Sequence, residues 1–200
     1  MATLKENRPI PAPVNADPVV VTAPEATSET RTRDRIWAAT RISLGWVFLW
    51  AFLDKAFALG FGTGRLEDGT VEYLGDAAWI NGGSPTFGFL SFGTSGPLAP
   101  FFQSFAGAAW ADWLFMVGLL GIGLALTLGI GMKIAAWSGA AMMVFMYLAA
   151  LWPANNPFMD DHLVYALVLI GLVYANAGRT WGLGGQWSQL ELVKRFPILR

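Results

Sequence analysis

WLFMVGLLGIGLALTLGIGMKIAAWSGAAMMVFMYLAAL, residues 113–151, is interrupted by a single charged residue, Lys133. A hydrocarbon core ~30 Å thick is crossed by about 20 apolar residues of helix. The stretch therefore reads as two membrane spans, from about Trp113 to Met132 and from about Ile134 to Leu151, with Lys133 in a tight turn between them. Working outward, an apolar segment from about Ile36 to Leu59 precedes them and carries Arg41, Asp54 and Lys55. A slightly shorter one, from about His162 to Ala177, follows. The expected fold class is an all-α membrane protein, a bundle of four transmembrane helices.

Composition agrees with lipid as the solvent. Hydrophobic residues make up 54% of the 200 and charged residues 14%, against about 25% charged in soluble domains. Ten Trp and fourteen Phe exceed what a soluble core of this length can hide. A net charge of -1 gives no basic surface for nucleic acid. With no cysteine, the chain has no thiolate nucleophile, no disulfide exchange, and no cysteine ligand for an iron–sulfur cluster or zinc. His162 is the sole histidine, so one chain cannot supply bis-His haem ligation; neither a metal nor a haem site is expected.

Residues 1–34 are rich in Pro, Ala, Thr and Glu and read as a disordered arm. Their only apolar run, Val19-Val20-Val21, is far shorter than the h-region of a signal peptide. Arg31, Arg33 and Arg35 precede the first helix, Lys133 lies between the second and third, and Arg179, Lys194, Arg195 and Arg200 follow the fourth. The opposite loops are acidic, with Glu67, Asp68, Glu72, Asp76, Asp160 and Asp161. By the positive-inside rule both termini face the cytoplasm of a cell membrane. The domain plan is an arm over 1–34, a membrane domain over 35–180 and an amphipathic cytoplasmic tail over 181–200. The long outer connection from Gly60 to Asp112 contains the apolar stretch Leu98 to Trp110, too short to span, which reads as an interfacial or re-entrant helix. Gly121, Ala125 and Gly129 recur at intervals of four, as do Ala135, Gly139 and Met143 on the next helix and Gly171 and Ala175 on the last. Such spacing serves close packing within the bundle, or a homodimer seam.

Several polar residues sit where lipid makes them costly. Arg41, about a turn and a half into the first helix, either snorkels to the headgroups or has a partner inside the membrane. Asp54 and Lys55 mark the other end of that helix; either Asp54 faces a polar pocket or the pair is a solvated helix end. Asp160, Asp161 and His162 form the densest cluster. One aspartate caps the fourth helix; a carboxylate beside an imidazole also fixes its tautomer, and such a pair exchanges protons near neutral pH. Asn155 and Asn156 add neutral hydrogen-bonding groups to the same loop. Trp79 and Asn81, backed by Gly82 and Gly83, form either a ligand contact or an interface-anchoring turn. Asp112 reads as a helix-start residue.

Three motifs, Phe48-Leu49-Trp50-Ala51-Phe52-Leu53-Asp54-Lys55, Trp79-Ile80-Asn81-Gly82 and Asn155-Asn156-Pro157-Phe158-Met159-Asp160-Asp161-His162, resemble the DoxX/DoxD family of bacterial and archaeal membrane proteins. The resemblance covers about residues 35 to 195, and the proline-rich arm suggests an actinobacterial member. It implies a subunit of thiosulfate:quinone oxidoreductase, which joins two thiosulfates into tetrathionate and passes two electrons to quinone, here menaquinone. It also implies an outer pocket with aromatic walls from Trp50, Trp79, Phe101, Trp152 and Phe158. The expected catalytic residues are His162, Asp161, Asp160 and Asp54; the expected cofactor contacts are Trp50, Trp79, Asn81, Asn155, Asn156 and Arg41. Only Lys55 and Arg65 are placed to attract a thiosulfate dianion. Electrons would pass directly, through a bound cofactor, or through a second oxidoreductase subunit or respiratory complex. The alternative from another class is a non-catalytic membrane anchor or assembly partner for a redox or sulfur-handling enzyme. A transporter fits less well, because the second and third helices lack charge.

Overall fold

The computed structural model describes residues 28–200. Among them the regular structure is helical, with no strand. Four longer helices form the body: α1 (Ser28–Phe57), α3 (Ala109–Leu128), α4 (Met132–Ala149) and α5 (Asp161–Tyr174). The short helix α2 (Ala99–Gln103) lies in the connection before α3, and α6 (Gly184–Trp187) and α7 (Glu191–Arg195) follow α5. α1, α3 and α4 are long and apolar enough to cross a membrane. α5 is equally apolar, but its 14 residues rise only ~21 Å.

Residues 28–34, expected to belong to the disordered arm, are instead the first two turns of α1. No proline follows Pro24 in this stretch, and Glu29 in the first turn complements the helix dipole. The rest of the expected arm, residues 1–27, lies outside the described residues.

α1 buries Ala38, Arg41, Gly45 and Phe48, at the three- and four-residue spacing of one helix face. That face meets α3 through a pair of glycines. A Cβ on Gly45 would stand 2.8 Å from Thr127 N, and one on Gly123 would stand 2.9 Å from Leu49 N. The two backbones thus touch where neither residue has a side chain. This differs from the expected stripe. Gly121 is exposed with nothing near its Cβ position, and Gly129 sits in the α3–α4 turn at φ +73°. The residue that admits α1 is Gly123, two places along and on the opposite side of the helix. On α4, Gly139 faces Leu169 of α5 and Ile122 of α3. Met116, Leu126, Leu169 and Leu172 fill the centre and are fully buried.

The outward faces are apolar too. Trp46, Leu114, Val117, Trp137, Phe145 and Leu167 are each more than half exposed. An apolar girdle on several helices is what a hydrocarbon solvent stabilises and water penalises.

Two ends can be distinguished. The near end holds the start of α1, the α3–α4 turn and the chain after α5; the far end holds the Gly60–Ala108 connection and the α4–α5 loop. The far connection folds on the bundle rather than trailing from it. Leu90, Phe102 and Ala149 form a second small core, packed by Phe105 and Leu148. Ser95 N donates to Ala149 O at 2.9 Å and Ser95 Oγ to Leu151 O at 3.2 Å. The apolar stretch Leu98 to Trp110 is not one helix: α2 ends at Gln103, the chain turns through Gly107 at φ +75°, and α3 starts at Ala109.

Candidate functional site

At the near end, Arg41 is fully buried. Its Nε donates to Ala177 O at 3.0 Å, Nη1 to Leu126 O and to Thr127 O at 2.9 Å, and Nη2 to Trp181 O at 2.9 Å and Thr180 O at 3.3 Å. A helix leaves its last carbonyls unpaired and negatively polarised. α3 aims such carbonyls, those of Leu126 and Thr127, at the guanidinium, and the turns after α5 add the backbone carbonyls of Ala177, Thr180 and Trp181. Leu128 O, the next of the set, accepts from Leu183 N at 2.8 Å. Glycines make room: a Cβ on Gly182 would lie 3.1 Å from Arg41 Nη2, and one on Gly129 3.0 Å from Nη1. Of the two readings open for Arg41, the partner inside the protein is the one found, and that partner is backbone.

At the far end, Asp54 is buried and spends both oxygens on the turn that follows α1. Oδ1 accepts from Phe61 N at 3.0 Å and Oδ2 from Gly62 N at 2.8 Å. Asn81 does similar work, its Nδ2 donating to Leu74 O and to Gly75 O at 3.3 Å. Asp112 is a buried staple that sequence reasoning passed over as a helix-start residue. Its Oδ1 accepts from Ser84 Oγ at 2.9 Å, Thr86 N at 3.0 Å and Thr86 Oγ1 at 2.6 Å. The signal that could have found it is weak: a Ser-Pro-Thr turn and a distant aspartate, with nothing in the spacing to join them. Trp79 stacks edge-on against Trp113, ring centroids 4.7 Å apart. Trp50 does the same with Phe61 at 5.1 Å.

Asp160 and His162 form the one polar pair of the expected catalytic set that is in direct contact. Asp160 caps α5, Oδ1 accepting from Leu163 N at 3.2 Å, and its Oδ2 lies 2.7 Å from His162 Nδ1. One carboxylate thus starts the helix and orients the ring, leaving Nε2 for another partner. The two side chains are 29% (His162) and 21% (Asp160) exposed, so the pair is reachable from the surface. Asp161 is exposed. Asn156 closes its own loop, Oδ1 accepting from Phe158 N at 3.1 Å and Met159 N at 3.0 Å. Asn155 is exposed. Tyr147 Oη ties this loop to α4 by donating to Phe158 O at 2.7 Å.

A groove of ≈ 500 Å³ runs between α1 and α5. Ile36, Thr40, Ser43 and Val47 line it from α1, and Val164, Tyr165 and Val168 from α5. At 100° per residue, the stripe on α5 continues toward the far end through Asp161 and His162, which precede Val164 and Tyr165 respectively by three residues each. The stripe on α1 continues through Trp50, three residues beyond Val47. The groove is mainly apolar, and by helix register its two stripes run on toward Trp50 on α1 and toward Asp161 and His162 on α5. Near its other end Trp37 closes on Gly171, whose Cβ position lies 3.3 Å from the Trp37 ring.

The structure therefore divides the ten expected site residues. By helix register Trp50 on α1 and Asp161 and His162 on α5 continue the stripes that line the groove, and Asp160 is held against His162. Asp54, Asn81, Asn156 and Arg41 are engaged by this chain's own backbone, and Arg41 lies at the opposite end of the bundle from His162. Trp79 packs on Trp113, and Asn155 is exposed. Among the described residues no group of three or more His, Asp or Glu side chains is placed to hold a metal ion. The chain matches no protein-family model, no curated protein and no solved structure.

Proposed function

We propose that this chain is a DoxX-like integral membrane subunit of a quinone-linked oxidoreductase, with α1, α3, α4 and α5 as four spans and both termini on the cytoplasmic side of a cell membrane. In this reading α5 completes its crossing with the turn that follows it, and α2 and the Phe89–Gly93 turn lie at the outer interface. Two observations support the proposal: the Asp160–His162 contact at the start of α5, and an apolar groove between α1 and α5 whose α5 stripe runs by helix register toward that end.

A menaquinone fits that arrangement in three respects. Its isoprenoid tail matches the apolar lining from Ile36 to Val47 and Val164 to Val168. Its ring has a flat wall in Trp50, which Phe61 holds edge-on. Its carbonyl oxygen takes a hydrogen bond from His162 Nε2. Quinone supplies the electron acceptor; reduction to quinol consumes two electrons and two protons. The imidazolium form of His162 would hand one proton from Nε2 to a quinone oxygen, with the Asp160 carboxylate at Nδ1 orienting and stabilising the ring, and the second proton would come from water at the exposed side of the pair. The electrons come from two thiosulfates joining through a new S–S bond, with Lys55 and Arg65 as the nearby cations that attract the dianions.

The test is equilibrium binding of menaquinone to the purified protein, read by quenching of tryptophan emission. His162→Ala is expected to weaken binding about 10- to 100-fold, the worth of a hydrogen bond of ~1.5–3 kcal/mol. No saturable quenching in the wild type, or equal affinity in the variant, would defeat the reading.

A second reading has its own observation. Asp54, Asn81, Asn156 and Arg41 stabilise the fold rather than stand free for a ligand. That economy suits a non-catalytic membrane anchor or assembly partner for a redox or sulfur-handling enzyme. A co-purifying enzyme retained equally by wild type and His162→Ala would favour it.

A further inference from the structure

A second groove lies between α3 and α4, ≈ 340 Å³ in volume, and shares no lining residue with the α1–α5 groove. Gly118, Gly121, Ala125 and Ile134 form its walls, and Trp187 and Leu199 close its near end. We infer that this groove takes an acyl chain of an anionic phospholipid, whose headgroup is held at its near mouth by Lys133 and Arg200. The inference is independent of the quinone reading; it needs only that α3 and α4 cross a membrane, for which both are long and apolar enough.

The dimensions suit one chain of one leaflet. From Val117 to the end of α3 at Leu128 the groove follows the helix for ~17 Å at 1.5 Å per residue, against a leaflet depth of about 15 Å. Nothing lies within 4 Å of the Cβ position of Gly121, so the space beside it is open. A hydrocarbon groove of that depth, starting at the headgroup level and ending at mid-membrane, is filled by lipid wherever no protein covers it.

The near mouth is built and it is basic. Lys133 N donates to Arg200 O at 2.9 Å, and Trp187 Nε1 donates to Leu199 O at 2.5 Å, so the end of the chain is folded back against the start of α4. Val193 is fully buried beneath this return. Lys133 Nζ spends one donor on Pro197 O at 3.3 Å and keeps two. From Arg179 to Arg200 the sequence carries four basic residues and one acid, Glu191, which is paired with Lys194 at 2.8 Å. Arg200 is exposed and Lys133 half-buried, and among the described residues neither side chain is paired with an Asp or Glu side chain, so both guanidinium and ammonium remain available beside the backbone oxygen of Arg200 that Lys133 N holds. Around them Trp181, Leu190, Leu192, Phe196 and Ile198 are exposed, the apolar collar of an element that lies in the interface. Anionic headgroups are the ligand that a basic mouth under an apolar groove selects.

Native mass spectrometry of the detergent-purified full chain, incubated with phosphatidylglycerol or with phosphatidylcholine of the same acyl chains, tests this. Wild type is expected to retain one phosphatidylglycerol in preference to phosphatidylcholine. Lys133→Gln with Arg200→Gln is expected to lower that retention about 25-fold, at about fivefold per charge. Gly121→Leu, which fills the groove without a clash, is expected to remove retention while the melting temperature in detergent alone stays at the wild-type value; it keeps the test open should the charge variant not fold. Equal retention of the two lipids by wild type, or undiminished phosphatidylglycerol retention by Gly121→Leu, would overturn the inference. So would a wild-type dimer that Gly121→Leu converts to monomer, since the groove would then belong to a second copy.

Discussion

Replacing Arg41 by Met removes the guanidinium but keeps an apolar side chain of similar reach. Thr127 O, Ala177 O, Thr180 O and Trp181 O would lose the donor they share; Leu126 O would keep Gly129 N at 3.2 Å. Hydrogen bonds to a charged donor are worth ~1.5–3 kcal/mol each, but they share one side chain and are not additive. Breaking a buried charged partnership costs about 3–5 kcal/mol overall. At roughly 2–4 °C per kcal/mol for a chain of this size, the melting temperature should fall by roughly 6–20 °C. Arg41→Lys keeps the charge but offers three donors on a compact head in place of a planar fork, so it should recover less than half of the loss. Thermal unfolding of the purified variants in detergent, followed by size-exclusion recovery after heating, measures this. An Arg41→Met protein melting within about 2 °C of wild type would refute the reasoning, because the arginine would then be serving something outside the fold.

Asp112→Ala should cost about 2–4 kcal/mol, since it strips three donors of their acceptor and leaves the buried Thr86 N–H unpaired. Limited proteolysis should show the loss first between Gly82 and Ala108, with Asp112→Asn cut more slowly than Asp112→Ala. Asp68 is held below its ordinary value of 3.8, chiefly by the Thr70 hydroxyl and then by the Thr70 amide. Because the folded-state value is depressed, whatever these bonds contribute to the loop is present above pH 3.8 and is lost as pH falls through the lower folded value. The Thr70 amide proton shift, followed by NMR titration, should therefore move with a midpoint below 3.8; a midpoint above it would contradict the bonds.

Helix positions were legible because membrane spans declare themselves by length and apolarity. The stretch from Trp113 to Leu151 became α3 and α4 within a few residues of the expected limits, displaced toward the N-terminus. The displacement has a local cause: Gly129 and Gly131 adopt left-handed angles, so the turn falls before Lys133 rather than at it. Hydropathy also located the end of α1 and both ends of α5 to within a few residues, but not the start of α1, which lies eight residues before the expected Ile36. It does not say which faces meet. Gly45 against Gly123 is a property of two helices, and neither sequence alone marks it above the more regular Gly121, Ala125 and Gly129. The site was legible only where its bonds are local. Asp160, His162 and Leu163 lie within one helical turn, so cap and imidazole orientation follow from spacing. The partners of Arg41 are backbone carbonyls at residues 126–127 and 177–181, which no side-chain pattern identifies. Asp54 and Asn81 looked like ligand contacts because a buried or glycine-flanked polar residue looks the same whether it serves a ligand or its own loop. The apolar stretch Leu98 to Trp110 is not one helix because α2 stops at Gln103 and the chain turns over residues 104–107, with Gly107 at φ +75°, before α3 begins.

Cysteine accessibility tests the central claim, a bundle with the Asp160–His162 end outside and the Arg41 end inside, most directly. The chain has no native cysteine, so each introduced thiol reports alone. Asp161 and Gln189 are both exposed and lie on either side of α5. A membrane-impermeant maleimide applied to intact cells should label Asp161→Cys and leave Gln189→Cys unlabelled until the membrane is permeabilised. Labelling of both from outside, or of Gln189→Cys alone, would mean that α5 does not cross or that the bundle stands the other way up.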